Sequence, residues 1–221
     1  MTKNQRIESI KRIGTGLSFI LFPVIFAIGF VAHPNLLSFS IVTDASDWVQ
    51  EFHGNNLLHV IHVTELFCVP LIIVIALKIK DLLQDRGEWY GLIGCSLAIF
   101  GATILAADKG ALCMVPSAFE TLPDEQFTQM LPGLQAMLDG KGMLSLRWGL
   151  LLLPIGMAIQ GVGLFLTRVI PRWQSIPMII GSLMLVNPDI DLINLFASIF
   201  IMIGMIPIGI QIIKNRTPTS T

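Results

Sequence analysis

Asn55-Asn56-Leu57-Leu58-His59-Val60-Ile61-His62-Val63-Thr64-Glu65-Leu66-Phe67 opens a mostly apolar run that reaches Ile79. A membrane helix needs about 20 mostly apolar residues, so this run reads as a span. Yet its first half carries two imidazoles and a carboxylate. Ionisable groups at membrane depth are costly and mark a functional site by default. On a helical wheel, Asn55, His59 and His62 fall at about 0°, 40° and −20°, and Glu65 lies about 60° beyond His62. All project from one side, while Ile61, Leu66 and Ile72 clothe the rest.

The rest of the chain agrees with a membrane setting. Its 221 residues are 53% hydrophobic and 13% charged, with mean hydropathy +0.75. Soluble domains carry about 25% charge. One bundle spanning residues 1–221 accounts for the length. The net charge of −1 predicts no nucleic-acid partner. Cys68, Cys95 and Cys113 form no CxxC and no metal spacing. Cys68 and Cys95 lie inside apolar runs and read as small hydrophobes, while Cys113 is nearer a membrane surface, where a reactive thiol is the alternative. Lys3, Arg6, Lys11 and Arg12 precede an apolar run as in a signal peptide, but no small-x-small pattern follows it. The run reads as a retained first span.

These signals predict an all-α integral membrane protein. Six transmembrane helices form the bundle, at about 13–32, 55–79, 89–107, 143–166, 176–186 and 188–213. His33-Pro34-Asn35 closes the first span, and Pro70 is expected to kink the second. Asn187 as N-cap with Pro188 at the first helical position is expected to start the sixth, placing Asp189 and Asp191 in its first turn. Short interfacial helices are expected on the extracytoplasmic side. One lies at Asp44–Phe52, and two lie within residues 115–142 with Phe127, Met130, Leu134 and Met137 facing down. With six spans, 11 of the 14 Lys and Arg residues fall on one side, and only Lys109, Lys141 and Arg147 on the other. The positive-inside rule makes both termini cytoplasmic; a plasma (inner) membrane is the expected location, which that count does not itself decide.

This topology collects the unusual residues in the outer half: His33, His53, Asn55, His59, His62, Glu65, Asp108, Lys109, Arg147, Asn187, Asp189, Asp191 and Asn194. Some have plain structural explanations. His33 and His53 suit the headgroup level, Asp108-Lys109 can pair at a helix end, and the residues from Asn187 to Asp191 can serve as a cap. Imidazole plus carboxylate is also a normal shell for zinc, iron or copper. The leading expectation is therefore a metal-dependent enzyme acting on a lipid-like or small amphiphilic substrate. His59 and His62 would be ligands, Asp191 or Asp108 a further ligand, and Glu65 and Asp108 catalytic groups. H-x-x-H-x-x-E lacks the H-E-x-x-H order of zinc proteases. One alternative is a proton- or ion-coupled small-solute transporter relaying protons through the same groups. Another is haem held between His33 and His59 or His62. A purely structural role is the least favoured, because interhelical polar contacts in membranes average under about 1 kcal/mol.

Overall fold

The computed structural model describes residues 3–33, 36–39, 44–47, 55–114, 122–187 and 190–214. Among them there is no strand. Five stretches are long and apolar enough to cross a membrane: Lys3–Val31, Asn56–Leu82, Glu88–Ala111, Ser145–Thr167 and Asp191–Ile213. This is the make-up of an α-helical integral membrane protein.

Helix α1 (Lys3–Val31) starts well before its apolar core. Its charged first turns contain no Gly or Pro breaker and carry an exposed Lys11–Glu8 pair at 3.0 Å, so the helix continues into water. The second span is two helices, α2 (Asn56–Leu66) and α3 (Cys68–Leu82), joined at Phe67. The expected kink at Pro70 falls one turn earlier. A proline ring clashes with the carbonyl four residues back, here that of Leu66, and the helix opens at the next residue. Helix α4 (Glu88–Asp108) runs directly into a π-helix, Lys109–Met114.

Of the stretch 115–142, expected to hold two surface helices, residues 115–121 lie outside the described residues. Ahead of Lys141 the described part holds one helix, α5 (Asp124–Leu138), which continues through Pro132. Its inner face is Phe127, Leu131, Leu134, Met137 and Leu138, packed on Ala45. Met130, expected on that face, is exposed. The Ala45 amide donates to Gln135 Oε1 at 2.7 Å. The remainder of the expected interfacial helix, 48–52, lies outside the described residues.

The fourth span repeats the proline geometry. Helices α6 (Lys141–Leu150) and α7 (Leu152–Thr167) meet at Leu151, where Pro154 obstructs the carbonyl of Leu150. Arg168 ends α7 in the left-handed region at φ 56°. Helix α8 (Arg172–Met184) has 13 residues, a rise of about 20 Å, and falls short of the length of the other spans. Helix α9 (Asp191–Ile213) starts with Ile190 in the capping position, and its side chain makes no capping bond. Asn187 is therefore not the cap. Its amide instead donates to Met184 O at 3.3 Å, closing α8.

Each column packs on the next in chain order, and α9 returns to α1. Glycine positions mark where several neighbours meet. Gly16 of α1 meets Gly209 and Ile213 of α9, and Gly94 of α4 meets Gly156 and Gln160 of α7. Gly161 of α7 meets Ile179 of α8, and Gly181 of α8 meets Ala197 and Ile201 of α9. Adjacent columns thus run antiparallel. The start of α1 and the end of α9 share one end of the bundle, called here the terminal end. The core between the columns is apolar, with Phe19, Phe22, Ile72, Leu164, Met205 and Ile208 fully buried. Large side chains such as Ile28, Val60, Phe67, Phe100 and Leu183 point outward, as lipid-facing residues do.

The closest approach is between α4 and α7, where a Cβ on Gly101 would overlap the backbone of Leu153. A backbone cannot step aside as a flexible side chain can. Gly101→Ala should lower stability in detergent by about 1–3 kcal/mol, the usual cost of overpacking. Gly14→Ala, where a Cβ meets nothing within 4 Å, should be neutral or slightly stabilising. Thermal unfolding of both variants beside wild type checks this.

Candidate functional site

Four elements bring their polar groups together at the end of the bundle opposite the termini: the ends of α1 and α4, the whole of α2, and the start of α9. Helix α2 is set by Asn55, whose Oδ1 accepts from the Leu58 amide at 3.1 Å. That is an N-cap role, which satisfies an amide with no partner inside the helix. With the start pinned, His62 and Glu65 turn inward and are buried to 2% and 1% exposure. His59 is half-buried one turn earlier.

Glu65 finds its counter-charge on another element. Lys109, the first residue of the π-helix, places Nζ 2.8 Å from Glu65 Oε2. The other carboxylate oxygen lies against α1 at Gly29, where a Cβ would collide with it. Glycine at that position leaves the space that the carboxylate occupies. The Lys109 side chain is 16% exposed and that of Glu65 2%, so water screens this pair little. A π-turn is wider than an α-turn, and such turns concentrate at functional sites.

A second pair lies beside the first. His33, just past α1, places Nδ1 3.1 Å from Asp191 Oδ2 in the first turn of α9. With Asp191 ionised, Nδ1 carries the proton and donates it. The His33 and His62 rings touch edge to face, with centroids 5.4 Å apart and planes at 79°. His62 stands one turn before Glu65 on α2 and within electrostatic range of Lys109, so this ring contact sets the two pairs side by side. Asp108 is half-buried and lies within electrostatic range of Glu65, Lys109 and Arg147. His59 stands in the same relation to His62.

Of the residues expected in the site, His33 contacts both Asp191 and His62, and Glu65 contacts Lys109; His59 and Asp108 border them. Arg147 is exposed on α6 and reaches the cluster only through its field at Asp108. Asn194 is fully buried one turn below Asp191. Asn55 is a cap, and Asn187 is exposed at the end of α8. His53 and Asp189 lie outside the described residues.

The ligand set expected for a metal does not assemble: among the described residues no three His, Cys, Asp or Glu side chains are placed to hold an ion. Asp191, expected as the further ligand, faces His33, and Glu65 is held by a lysine. Nor do His33 and His62 fit as axial ligands of one haem. Their rings are in direct contact, which leaves no room for a macrocycle between them.

Several buried polar residues carry no signal in the local sequence pattern. Gln160, Gln174 and Ser182 are each buried to 1% exposure or less. Gln160 Nε2 donates across the bundle to Ala76 O at 2.8 Å. Gly29 was equally inconspicuous. A lone glutamine within an apolar run is the one feature that could have drawn attention.

No protein family, curated protein or solved structure matches this chain.

Removing one member of a buried ion pair typically costs about 3–5 kcal/mol, because the other charge is left uncompensated. Lys109→Met should therefore destabilise the protein by about that amount. Adding Glu65→Gln should recover most of the loss, since it removes the stranded charge. Chemical unfolding of the single and double variants measures this, and additive effects would show that the pair is not coupled. Gly29→Ala, which displaces the carboxylate, should resemble the lysine variant in its dependence on Glu65.

Proposed function

We propose that this protein is a proton-coupled small-solute transporter with six spans, α8 being the short fifth. The reading rests above all on one observation, the buried Glu65–Lys109 pair between α2 and the π-helix. A carboxylate paired inside a membrane bundle can be neutralised by one proton, and neutralisation leaves its lysine without a partner. Asp108, adjacent in sequence and within range of the same lysine, offers an alternative counter-charge. Protonation of Glu65 thus favours a second arrangement of Lys109. Both elements involved have natural hinges, at Phe67 and at the π-turn.

Within electrostatic range of Glu65 lie Cys68 on α3 and Asp108 on α4; His62 stands one turn earlier on the same helix, and its ring contacts His33, which in turn holds Asp191. His33 supplies a second titratable connection, from α1 to α9. A transporter needs such connections because proton binding must bias the relative placement of helices. The Lys and Arg distribution supports a cytoplasmic location for the terminal end, so that the site faces outward. The metal-dependent lipid enzyme expected from the sequence finds less support, since Glu65 faces Lys109 and Asp191 faces His33 rather than a shared ligand position.

Proteoliposomes with entrapped pyranine test the reading. Under an inward proton gradient, pools of amino acids, sugars and amines are added in turn. The wild-type protein should acidify the lumen faster with one pool than without solute, and Glu65→Gln should abolish that increment. Solute-dependent proton entry in Glu65→Gln at the wild-type rate would overturn the assignment.

A further inference from the structure

Below the site, the seam between α8 and α9 carries polar side chains that the ion-pair cluster does not use. On α9, Asn194, Ala197, Ile201, Gly204, Ile208 and Gln211 follow one another at three- or four-residue spacing and form a single stripe. Helix α8 packs on this stripe. Gly181 meets Ala197 O and Ile201, while Gly204 meets Met178 and Gln174 O.

The polar groups fall into two levels. Towards the site, Asp191 is followed by Asn194, Ser198 and, across the seam, Ser182, the last three each 1% exposed. Ser182 Oγ is buried with no hydrogen-bond partner among the described residues. Towards the terminal end, Gln174 is 1% exposed, and both Oε1 and Nε2 lack a partner among those residues. Gln211 Oε1 is likewise buried and unpartnered, two turns further along the stripe. Between the levels stand Met178 and Ile201, each 1% exposed, and Met205 at 0%.

Ser198 Oγ donates to Asn194 O at 2.9 Å. Among the described residues, the unpartnered groups of the seam are therefore those of Ser182, Gln174 and Gln211. Leaving an amide or hydroxyl unpaired in a dry membrane interior is costly. Such groups persist where they line a path that water can enter. Met178 and Ile201 offer no hydrogen bonds, and an apolar constriction of this kind interrupts a water path by dewetting. We infer that the α8–α9 seam is a proton path made of two hydrated half-routes separated by a gate at Met178 and Ile201. One half-route descends from Asp191 through Asn194, Ser198 and Ser182, and the other rises from the terminal end past Gln211 to Gln174. Water is the ligand of both half-routes, and the proton is what moves. The inference deepens the proposed function, on which its assignment to protons rests. The hydration of the seam is separable from it.

Silver ions, small and water-borne, serve as the probe. In a background with Cys68, Cys95 and Cys113 replaced by alanine, Gln174→Cys, Ser182→Cys and Met178→Cys are reconstituted in sealed vesicles of each orientation. Blocked thiols are read by maleimide labelling after denaturation. Gln174→Cys should react from the terminal-end side and Ser182→Cys from the opposite side, each at least about tenfold faster than Met178→Cys from either. Protection of Gln174→Cys or Ser182→Cys equal to that of Met178→Cys overturns the half-routes. Should the cysteine variants fail to fold, Ile201→Ser carries the test. A polar gate should raise passive proton leak into pyranine-loaded liposomes about tenfold, and an unchanged leak refutes the gate. Silver access with unaltered Glu65→Gln flux would retain the hydrated seam and remove the coupling. Lost flux with a dry seam would do the reverse.

Discussion

A carboxylate at the depth of Glu65 has no water to stabilise its charge, so its partner must come from the protein. Much of the site follows from that constraint. Lys109 reaches Glu65 because the third span ends in a π-helix. Glu65 stands at the end of α2 because the second span breaks at the next residue but one. Gly29 has no side chain where the carboxylate needs room. The His33–Asp191 contact then ties α1 to α9 beside the same cluster, through the ring of His62. Each of these features would be a weakness alone, and together they hold the Glu65–Lys109 and His33–Asp191 pairs side by side at one end of the bundle.

Proline shapes the bundle by a rule that applies twice. Pro70 and Pro154 each open their helix three residues before the ring, at Phe67 and Leu151, because the ring obstructs the carbonyl four positions back. The second span thereby acquires a joint directly beside its charged half. The fourth acquires one where α6 gives way to the buried, small-residue surface of α7. Outside these joints the columns are packed closely, with glycine backbones of α4 and α7 in contact.

Charge and uncharged polarity are distributed differently. Ion pairs collect at one end, while amides and hydroxyls continue down the seam between α8 and α9. Helix α8 is the shortest column and the one furthest from a conventional span. A short helix lets polar loop and seam residues sit deeper than a full span would allow, which is the usual construction of binding sites in membrane transport proteins.

Composition and the 3.6-residue period were sufficient for the helical membrane class, since apolar length and one-sided polarity are local properties. They also brought His33, His62, Glu65, Lys109 and Asp191 into view, because an ionisable group in an apolar run stands out wherever the run is placed. Partner choice was not legible. Asp108 and Asp191 looked as suitable as a lysine to accompany the histidines and Glu65 until the antiparallel neighbours were known. Asn187-Pro188 is a strong local start signal, yet α9 begins at Asp191, because the turn that closes α8 takes up Asn187. Gln174 and Ser182 were invisible for the same reason: one polar residue on a helix gains meaning only from the helix that packs over it. What the chain alone decided was where polarity is expensive; which groups share that expense depended on helix adjacency, a property of the tertiary structure that no local pattern encodes.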